Sequence, residues 1–236
     1  MGWELHSLDV TSAFLQGNGL ERELYLQPPP EVQEPGMIWK LKRCIYGLDD
    51  APRAWYERVE QELVSLGGKS SRYDDAVFLW HGEDSLTGMI VLHVDDFVYC
   101  GTRKWHENVM GSIQRKFKIS AKHSGSFKYI GLNVSQTDSE IVVDQRQYVE
   151  SLKPISLTAE RAQQKEEPLT KDEKVSLRSV SGQLLWATTQ SRPDASFDAC
   201  VVSNYGKEPI VKSILMANKS IKKLQGNHVQ LGARRH

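Results

Sequence analysis

Short hydrophobic runs in the first part of the chain predict strands rather than helices. Residues 3–10 alternate imperfectly between apolar and polar side chains, which is typical of a strand, and Asp9 lies near the end of this segment. Residues 13–15 are consecutive apolar side chains before a glycine-containing turn, and they predict a short helix. Further short strands are predicted at 24–26, 38–41 and 76–80.

The longest apolar run covers residues 89–94, and two acidic residues, Asp95 and Asp96, follow it at once. A second apolar run resumes at 97–100. We therefore expect a strand, a tight turn that carries both acids, and a second strand. The run is far too short to cross a bilayer, so no membrane partner is expected.

Helical spacing appears first after Pro52, where apolar residues recur every three or four positions as far as Gly67. The same periodicity predicts helices at 104–117, 145–152, 175–189 and 210–224. Residues 127–134 and 141–143 predict a hairpin, and residues 159–174, which are rich in Gln, Glu and Lys, predict an exposed connection. The whole pattern predicts an α+β fold in which a small antiparallel sheet packs against helices.

The composition is that of an ordinary globular protein, with 39% hydrophobic and 25% charged residues among 236. Lys plus Arg number 30, as do Asp plus Glu, so the net charge is zero. Proteins that grip a nucleic-acid backbone usually carry a basic excess, so this balance argues mildly against independent nucleic-acid binding but allows a local basic groove. Three widely spaced cysteines suggest free thiols in a reducing compartment, and without a signal peptide we expect an intracellular protein that is not secreted.

Two adjacent acids between buried strands are energetically costly, because each carboxylate loses solvation and the two repel each other. A divalent cation is the usual agent that offsets this cost, and Mg²⁺ keeps positions open for phosphate oxygens. If the strand that carries Asp9 neighbours the hairpin in one sheet, three carboxylates converge. The alternative for Asp95 and Asp96 taken alone is a solvated hairpin turn, because Asp suits turns.

Several segments, in the same order and over nearly the whole chain, resemble motifs of the reverse transcriptases of Ty1/copia retrotransposons, which are parts of retrovirus-related Pol polyproteins. The segments are DVTSAFLQG at 9–17, ELYLQPP at 23–29, WKLKRCIYGLDDAPRAWY at 39–56, VLHVDDFVYCG at 91–101, FKYIGLNV at 127–134 and SRPD at 191–194. The segment at 39–56 is the most specific, because a match of that length is not expected by chance.

The resemblance implies an RNA-directed DNA polymerase that transfers nucleotides with two Mg²⁺ ions, or with Mn²⁺ in their place. Asp9 and Asp95 would be metal ligands, helped by the Val10 carbonyl, and Asp96 would complete the catalytic set as a weaker ligand. The expected partners are an RNA or DNA template with its primer, deoxynucleoside triphosphates and other parts of the Pol polyprotein.

The resemblance also implies a domain organisation. A reverse-transcriptase-like palm would cover residues 1–150, with the fingers segment missing or truncated. A helical thumb or connection region would cover residues 151–236, and we expect the boundary between 145 and 175.

Four further residues receive roles from the resemblance. Phe14 would lie below the incoming sugar and exclude a ribose 2′-hydroxyl, although it could equally be a core aromatic beside Leu15. Arg53 would support the substrate pocket, and a solvated arginine at the start of a helix is an equal alternative. Tyr129 and Gly131 would lie near the primer end.

The sequence departs from the family pattern at two places. His93 stands where the family usually has Tyr, which leaves the acids in place. Asp49 and Asp50 stand where the family commonly has Lys and Gln, and a negative charge near a triphosphate is unfavourable. The second departure weakens the expectation of nucleotide binding more than that of metal binding.

Two alternatives to an active polymerase therefore stay open. One is an inactive remnant of a decayed element. The other is a nucleic-acid- or protein-binding module without catalysis, supported by the lysines of residues 212–223 and by Arg234 and Arg235. A cationic helix is more often only a solvated face.

Overall fold

The computed structural model describes residues 2–32, 34, 36–204, 208–227 and 229–234. Contacts divide the chain into two compact units, Met1–Gly125 and Ser126–His236. This division lies before the interval 145–175, because the strands that follow Gly125 pair with each other and with a strand near the C-terminus. The assignment of a palm to 1–150 and of a thumb or connection to 151–236 stays a prediction.

The first unit is an antiparallel sheet with helices packed on it, plus a separate pair of short strands. Its elements in chain order are β1 (His6–Val10), α1 (Ala13–Gln16), β2 (Tyr25–Leu26), β3 (Trp39–Lys40), α2 (Ala51–Ser65), β4 (Lys69–Ser70), β5 (Val77–His81), β6 (Leu86–His93), β7 (Asp96–Gly101), α3 (Arg103–Trp105), α4 (Gly111–Lys116) and β8 (Ile119–Ser124). A 3₁₀ turn occupies Pro30–Val32, and a π-helical segment, His106–Met110, joins α3 to α4. The main sheet has the strand order β4-β5-β6-β7-β1-β8, and β2 pairs with β3.

Side-chain periodicity explains the packing of this unit. Alternate residues of β6, including Ile90 and Leu92, are buried, and Met89 and Val91 between them are half-buried. The helix α2 has a proline in its first turn, and its buried residues recur every four positions: Ala51, Trp55, Val59 and Leu63. These side chains belong to one core with the buried residues of β1 and β7, so α2 supports the centre of the sheet from one side.

The second unit combines a small antiparallel sheet with a helical cluster. Its elements are β9 (Ser126–Tyr129), β10 (Leu132–Gln136), β11 (Glu140–Asp144), α5 (Arg146–Ser151), α6 (Ala159–Gln163), α7 (Lys171–Gln190), α8 (Ser196–Ser203), α9 (Val211–Gly226) and β12 (Leu231–Arg234), with a 3₁₀ turn at Pro193–Ala195. The strand order is β12-β11-β10-β9. Its core is formed mainly by apolar residues of α7, α8 and α9.

The mixed architecture of helices and antiparallel sheets agrees with the predicted α+β pattern, but some elements differ. Residues 127–134 form parts of β9 and β10 rather than one strand, because Ile130 and Gly131 have φ values of +43° and +81° and reverse the chain. The predicted connection 159–174 contains α6 and the start of α7. Threonine side chains cap both helices and so start them where the polar composition suggested a loop.

The sequence pattern missed β4, β8, α8 and β12, and it did not separate the π-helical segment from the predicted helix 104–117. β8 has few apolar side chains, since it lies at the sheet edge and is largely exposed. Within the described ranges, none of the helices combines the length and the apolar character needed to cross a lipid bilayer.

Candidate active site

Asp9 and Asp96 lie directly opposite each other on the neighbouring strands β1 and β7. Directly opposed residues of an antiparallel pair project from the same face of the sheet, with Cβ atoms about 5 Å apart. Both residues are half-buried. The convergence that the sequence analysis expected is therefore present for these two carboxylates.

The turn between β6 and β7 consists of Val94 and Asp95, one residue earlier than the run of acids predicts. His93 pairs with Asp96 across this turn, so Asp96 is a strand residue. The prediction of a turn that carries both acids is thus wrong for Asp96. The cause is that Val94 takes a left-handed φ of +56°, which lets the chain reverse directly after His93. This conformation costs a β-branched residue about 1–3 kcal/mol, which its surroundings must offset.

Two hydrogen bonds hold the acidic turn against the rest of the first unit. The indole Nε1–H of Trp55, from α2, donates to the Val94 carbonyl across 2.6 Å. The backbone N–H of Val10, at the end of β1, donates to the Asp95 carbonyl across 2.9 Å. The turn is therefore tied both to the helix behind the sheet and to the strand that carries Asp9.

Ser120 of β8 contacts Asp9 from the other side, and the sequence analysis did not identify it. Its hydroxyl donates to the Asp9 carbonyl across 3.0 Å, and it also makes a hydrogen bond with the Asp9 carboxylate. Ser120 is exposed and belongs to a strand that the hydrophobic pattern does not predict. No sequence signal marked it, because its position depends on strand pairing.

The electrostatics of Asp96 reflect the grouping of the acids. Burial raises the pKa of its carboxyl group above the ordinary value of 3.8, and the negative charges of Asp95 and Asp9 raise it further. His93 acts in the opposite direction. Asp96 is therefore near enough to Asp95 and to Asp9 to be repelled by both, and a cation at this place would relieve the repulsion.

The paired acids also have the chemistry that a divalent metal ion needs. Two facing carboxylates offer the oxygen ligands that Mg²⁺ prefers, so the pair Asp9 and Asp96 fits such an ion. Among the residues with described positions, no three His, Cys, Asp or Glu side chains are grouped so that they could hold a metal. The ligand roles of Asp95 and of the Val10 carbonyl stay predictions.

Comparisons with known proteins identify the family. The model of the reverse transcriptase (RNA-dependent DNA polymerase) family matches residues 1–169. The chain belongs to the reverse transcriptase family. The acids at 9, 95 and 96 all lie within the matched part.

Curated relatives confirm the resemblance to copia-type Pol polyproteins. The chain is 29% identical over 151 residues to the retrovirus-related Pol polyprotein from transposon RE1 of Arabidopsis thaliana, which covers 62% of this chain and 10% of the relative. It is 28% identical over 230 residues to the retrovirus-related Pol polyprotein from transposon TNT 1-94 of Nicotiana tabacum. This match covers 87% of this chain and 17% of the relative. The putative transposon Ty5-1 protein of Saccharomyces cerevisiae is 24% identical over 220 residues, a match that covers 86% of this chain and 70% of the relative. The chain thus spans about a tenth to a sixth of the length of the first relatives.

The reverse transcriptase resemblance gave Phe14 and Arg53 binding roles, which stay predictions. Phe14 is only 8% exposed, and the ring of Tyr46 lies on it with the two centroids 4.6 Å apart. Arg53 is exposed in the first turn of α2, and its Nε donates to the Glu57 carboxylate across 2.7 Å. Both environments resemble the alternatives named from the sequence, a core aromatic and a solvated arginine.

Tyr129 and Gly131 belong to the second unit, where they flank the β9–β10 turn. Tyr129 is half-buried at the end of β9. A side chain at position 131 would meet the Trp186 ring at 3.6 Å, and the φ of +81° there favours glycine. A contact of either residue with a primer stays a prediction.

The unusual acid at position 50 has a cationic partner in this reverse transcriptase chain. Arg22 contacts the Asp50 carboxylate at 2.9 Å, and both side chains are about half exposed. The other carboxylate oxygen of Asp50 is buried without a hydrogen-bond partner. The negative charge is therefore partly offset, which the sequence analysis did not anticipate.

The basic stretch of the second unit lies on α9. Lys223 pairs with Asp198 at 2.7 Å, so this lysine is engaged within the unit. Lys219 and Lys222 lie on the same helix. Arg235 lies outside the described residues, so the suggested basic pair at 234–235 is not tested.

Proposed function

We propose that this chain forms the catalytic centre of an RNA-directed DNA polymerase of the copia type. The reaction is the attack of a primer 3′-hydroxyl on the α-phosphate of a deoxynucleoside triphosphate. The observation that supports it best is the pairing of Asp9 with Asp96 in the centre of the sheet, beside the turn that carries Asp95. In this proposal residues 1–150 act as the palm and residues 151–236 as a thumb or connection.

In the proposed reaction the carboxylates of this chain would hold divalent cations. Asp9 and Asp95 would be the main ligands, helped by the Val10 carbonyl, and Asp96, which faces Asp9 on the neighbouring strand, would complete the set. Bound Mg²⁺ or Mn²⁺ would stabilise charge on the attacking and leaving oxygens. The hydrogen bonds from Trp55 and from the Val10 N–H hold the backbone of the turn that carries Asp95, which favours a site that is positioned before cations bind.

The substrates and partners belong to the same proposal. A template–primer duplex and deoxynucleoside triphosphates are the reactants, and Phe14, Arg53, Tyr129 and Gly131 are the residues proposed to contact them. Other parts of a Pol polyprotein are proposed partners, because the relatives are much longer than the matched segment.

Primer extension on an RNA template with Mg²⁺ tests this function. The chain would be assayed alone and together with an added fingers segment, and the Asp9→Asn variant would be compared with Asp84→Asn. Asp84 is an exposed acid of the β5–β6 connection and serves as the matched control. We expect Asp9→Asn to lower the rate of primer extension by more than about 100-fold. Loss of a residue that only supports a metal ligand usually lowers activity by less than that.

The outcomes separate the three interpretations of the chain. If the parent chain extends no primer under either condition, the polymerase interpretation is excluded and an inactive remnant is favoured. Binding of an RNA–DNA duplex that weakens steeply with salt, in a chain that does not extend primers, would favour a binding module.

A further inference from the structure

The pairing between β1 and β8 is irregular at the place where Asp9 lies. Asp9 pairs with Ala121 and Val10 pairs with Ile119, so Ser120 is an extra residue that faces the step between them. Such a bulge bends the strand locally and changes the direction of the side chain that it carries. Here the redirected side chain is the hydroxyl of Ser120.

The Ser120 hydroxyl is bonded to two oxygens of one residue. Its Oγ lies 3.0 Å from the Asp9 carbonyl, and it also makes a hydrogen bond with Oδ2 of the Asp9 carboxylate. A serine hydroxyl carries one hydrogen, so the two acceptors share it. The bond to the Asp9 carbonyl fixes the Ser120 hydroxyl, and the bond to the carboxylate restricts the Asp9 side chain, because rotation of Asp9 about its first torsion would break it.

Directly beyond the bulge, the side-chain amide of Gln16 takes the place of one backbone hydrogen bond between the two strands. The Thr11 N–H donates to the Lys118 carbonyl across 2.9 Å, as a strand pair would. The reciprocal bond is replaced by the amide of Gln16, whose Oε1 accepts from the Lys118 N–H at 2.8 Å and whose Nε2 donates to the Thr11 carbonyl at 2.6 Å. The amide therefore links the Lys118 N–H to the Thr11 carbonyl, beside the direct bond between Thr11 and Lys118.

We propose that Ser120 is a positioning residue for the Asp9 carboxylate and that Gln16, by bridging Thr11 and Lys118, fixes the bulge that brings Ser120 there. This inference rests on the proposed function, because Asp9 is there a metal ligand. Residues that orient a metal ligand through a hydrogen bond typically change metal affinity by about 10–100-fold when they are lost. Ser120 lies at an exposed edge, so its loss is expected to affect the ligand more than the fold.

Binding of Mn²⁺ to the full chain, measured by water-proton relaxation, tests the role of Ser120. We expect Ser120→Ala to weaken Mn²⁺ binding about tenfold and Ser120→Thr, which keeps the hydroxyl, to stay within about threefold of the parent. Ser124→Ala is the matched control, because Ser124 is an exposed serine of the same strand. Its Mn²⁺ affinity should equal that of the parent chain.

Hydrogen exchange tests the role of Gln16 without reference to metal or activity. In Gln16→Ala the Lys118 amide loses its acceptor, so its exchange should accelerate at least about tenfold, and the Mn²⁺ affinity should fall in parallel. Gln16→Glu keeps an acceptor for Lys118 but removes the donor to Thr11, so it should protect Lys118 while still weakening Mn²⁺ binding.

The results distinguish this inference from the proposed function. If the parent chain binds Mn²⁺ no better than Asp9→Asn does, the metal role of Asp9 fails and the inference fails with it. If the parent binds Mn²⁺ clearly better than Asp9→Asn, but Ser120→Ala binds as the parent does, only the positioning role is overturned. Failure of Ser120→Thr to retain binding would also overturn it, because the hydroxyl is the group proposed to act.

Discussion

The indole N–H of Trp55 donates to the carbonyl of Val94, so a buried helix residue holds the turn beside the acidic residues. Trp55 is 2% exposed, and its ring also packs edge-on against Phe117. The bond stabilises a backbone conformation that valine rarely adopts, because Val94 has a φ of +56°. Trp55 of helix α2 thus contributes to the candidate site by holding the backbone of this turn.

The first prediction concerns this bond. Trp55→Phe keeps an aromatic ring but removes the donor, and it should lower the free energy of unfolding by about 1–2 kcal/mol. It should also weaken Mn²⁺ binding, since the turn that carries Asp95 loses one of its two anchors. Urea denaturation and Mn²⁺ titration measure the two effects.

Trp80→Phe is the control for Trp55→Phe. Trp80 is buried and its Nε1 donates to the Leu66 carbonyl across 2.9 Å, away from the acidic turn. We expect a similar loss of stability with unchanged Mn²⁺ affinity. Equal effects of both variants on Mn²⁺ binding would show that the Trp55 bond has no special relation to the site.

The second prediction separates the two interpretations of Phe14. Phe14 belongs to the core and is covered by the exposed ring of Tyr46, so Phe14→Ala should cost about 3 kcal/mol of stability and Tyr46→Ala less than about 1 kcal/mol. If Phe14 also excludes the ribose hydroxyl, Phe14→Val should raise incorporation of ribonucleotides relative to deoxynucleotides in primer extension. An unchanged ratio would leave Phe14 as a core residue only.

The third prediction concerns the charge at position 50. Arg22 is the cation that contacts Asp50, so Arg22→Ala should expose the negative charge and raise the KM for deoxynucleoside triphosphates, and Asp50→Gln should lower it. Stability should change by less than about 1 kcal/mol in both variants, because the pair is half exposed. Steady-state primer extension measures the KM. Equal KM values in the parent and both variants would show that position 50 is remote from the nucleotide.

The fourth prediction concerns the stability of the second unit at low pH. Two hydrogen bonds from Arg161, at 2.9 and 2.7 Å, lower the pKa of Glu173 from 4.5 to about 2. A lowered carboxyl pKa stabilises the folded state above pH 4.5, and this contribution is lost as the pH falls from 4.5 towards 2. Glu173→Gln should therefore lower the stability by about 2 kcal/mol at pH 6 and by little near pH 2.

Thermal or urea unfolding across this pH range measures the effect of Glu173→Gln. The amide oxygen of the substituted side chain can still accept the hydrogen bond from the Thr170 N–H, so the helix cap is largely retained. Glu166→Gln is the control, because Glu166 is an exposed acid of the same segment. A parallel pH dependence of the Glu173→Gln variant and the parent would contradict the prediction.

Elements with a strong hydrophobic period could be located from residue order alone. The apolar run before Asp95 and the four-residue spacing after Pro52 correspond to β6 and α2, because a buried face requires a regular repeat of apolar side chains. Linear motifs sufficed for the family, since they depend only on residue order. The polar segment 159–174 was misjudged because capping bonds, which have no hydrophobic period, start its helices.

Which residues meet, in contrast, depends on how the strands pair and pack. The register between β1 and β7 places Asp9 opposite Asp96. The turn begins at Val94, one residue before the predicted position, because tertiary contacts support a backbone conformation that valine alone disfavours. Ser120 lies beside Asp9 because of a bulge in an exposed edge strand. An exposed polar strand cannot be predicted from the hydrophobic pattern. Pairing between segments far apart in the chain is a property of the packed sheet, and the order of residues along one segment does not contain it.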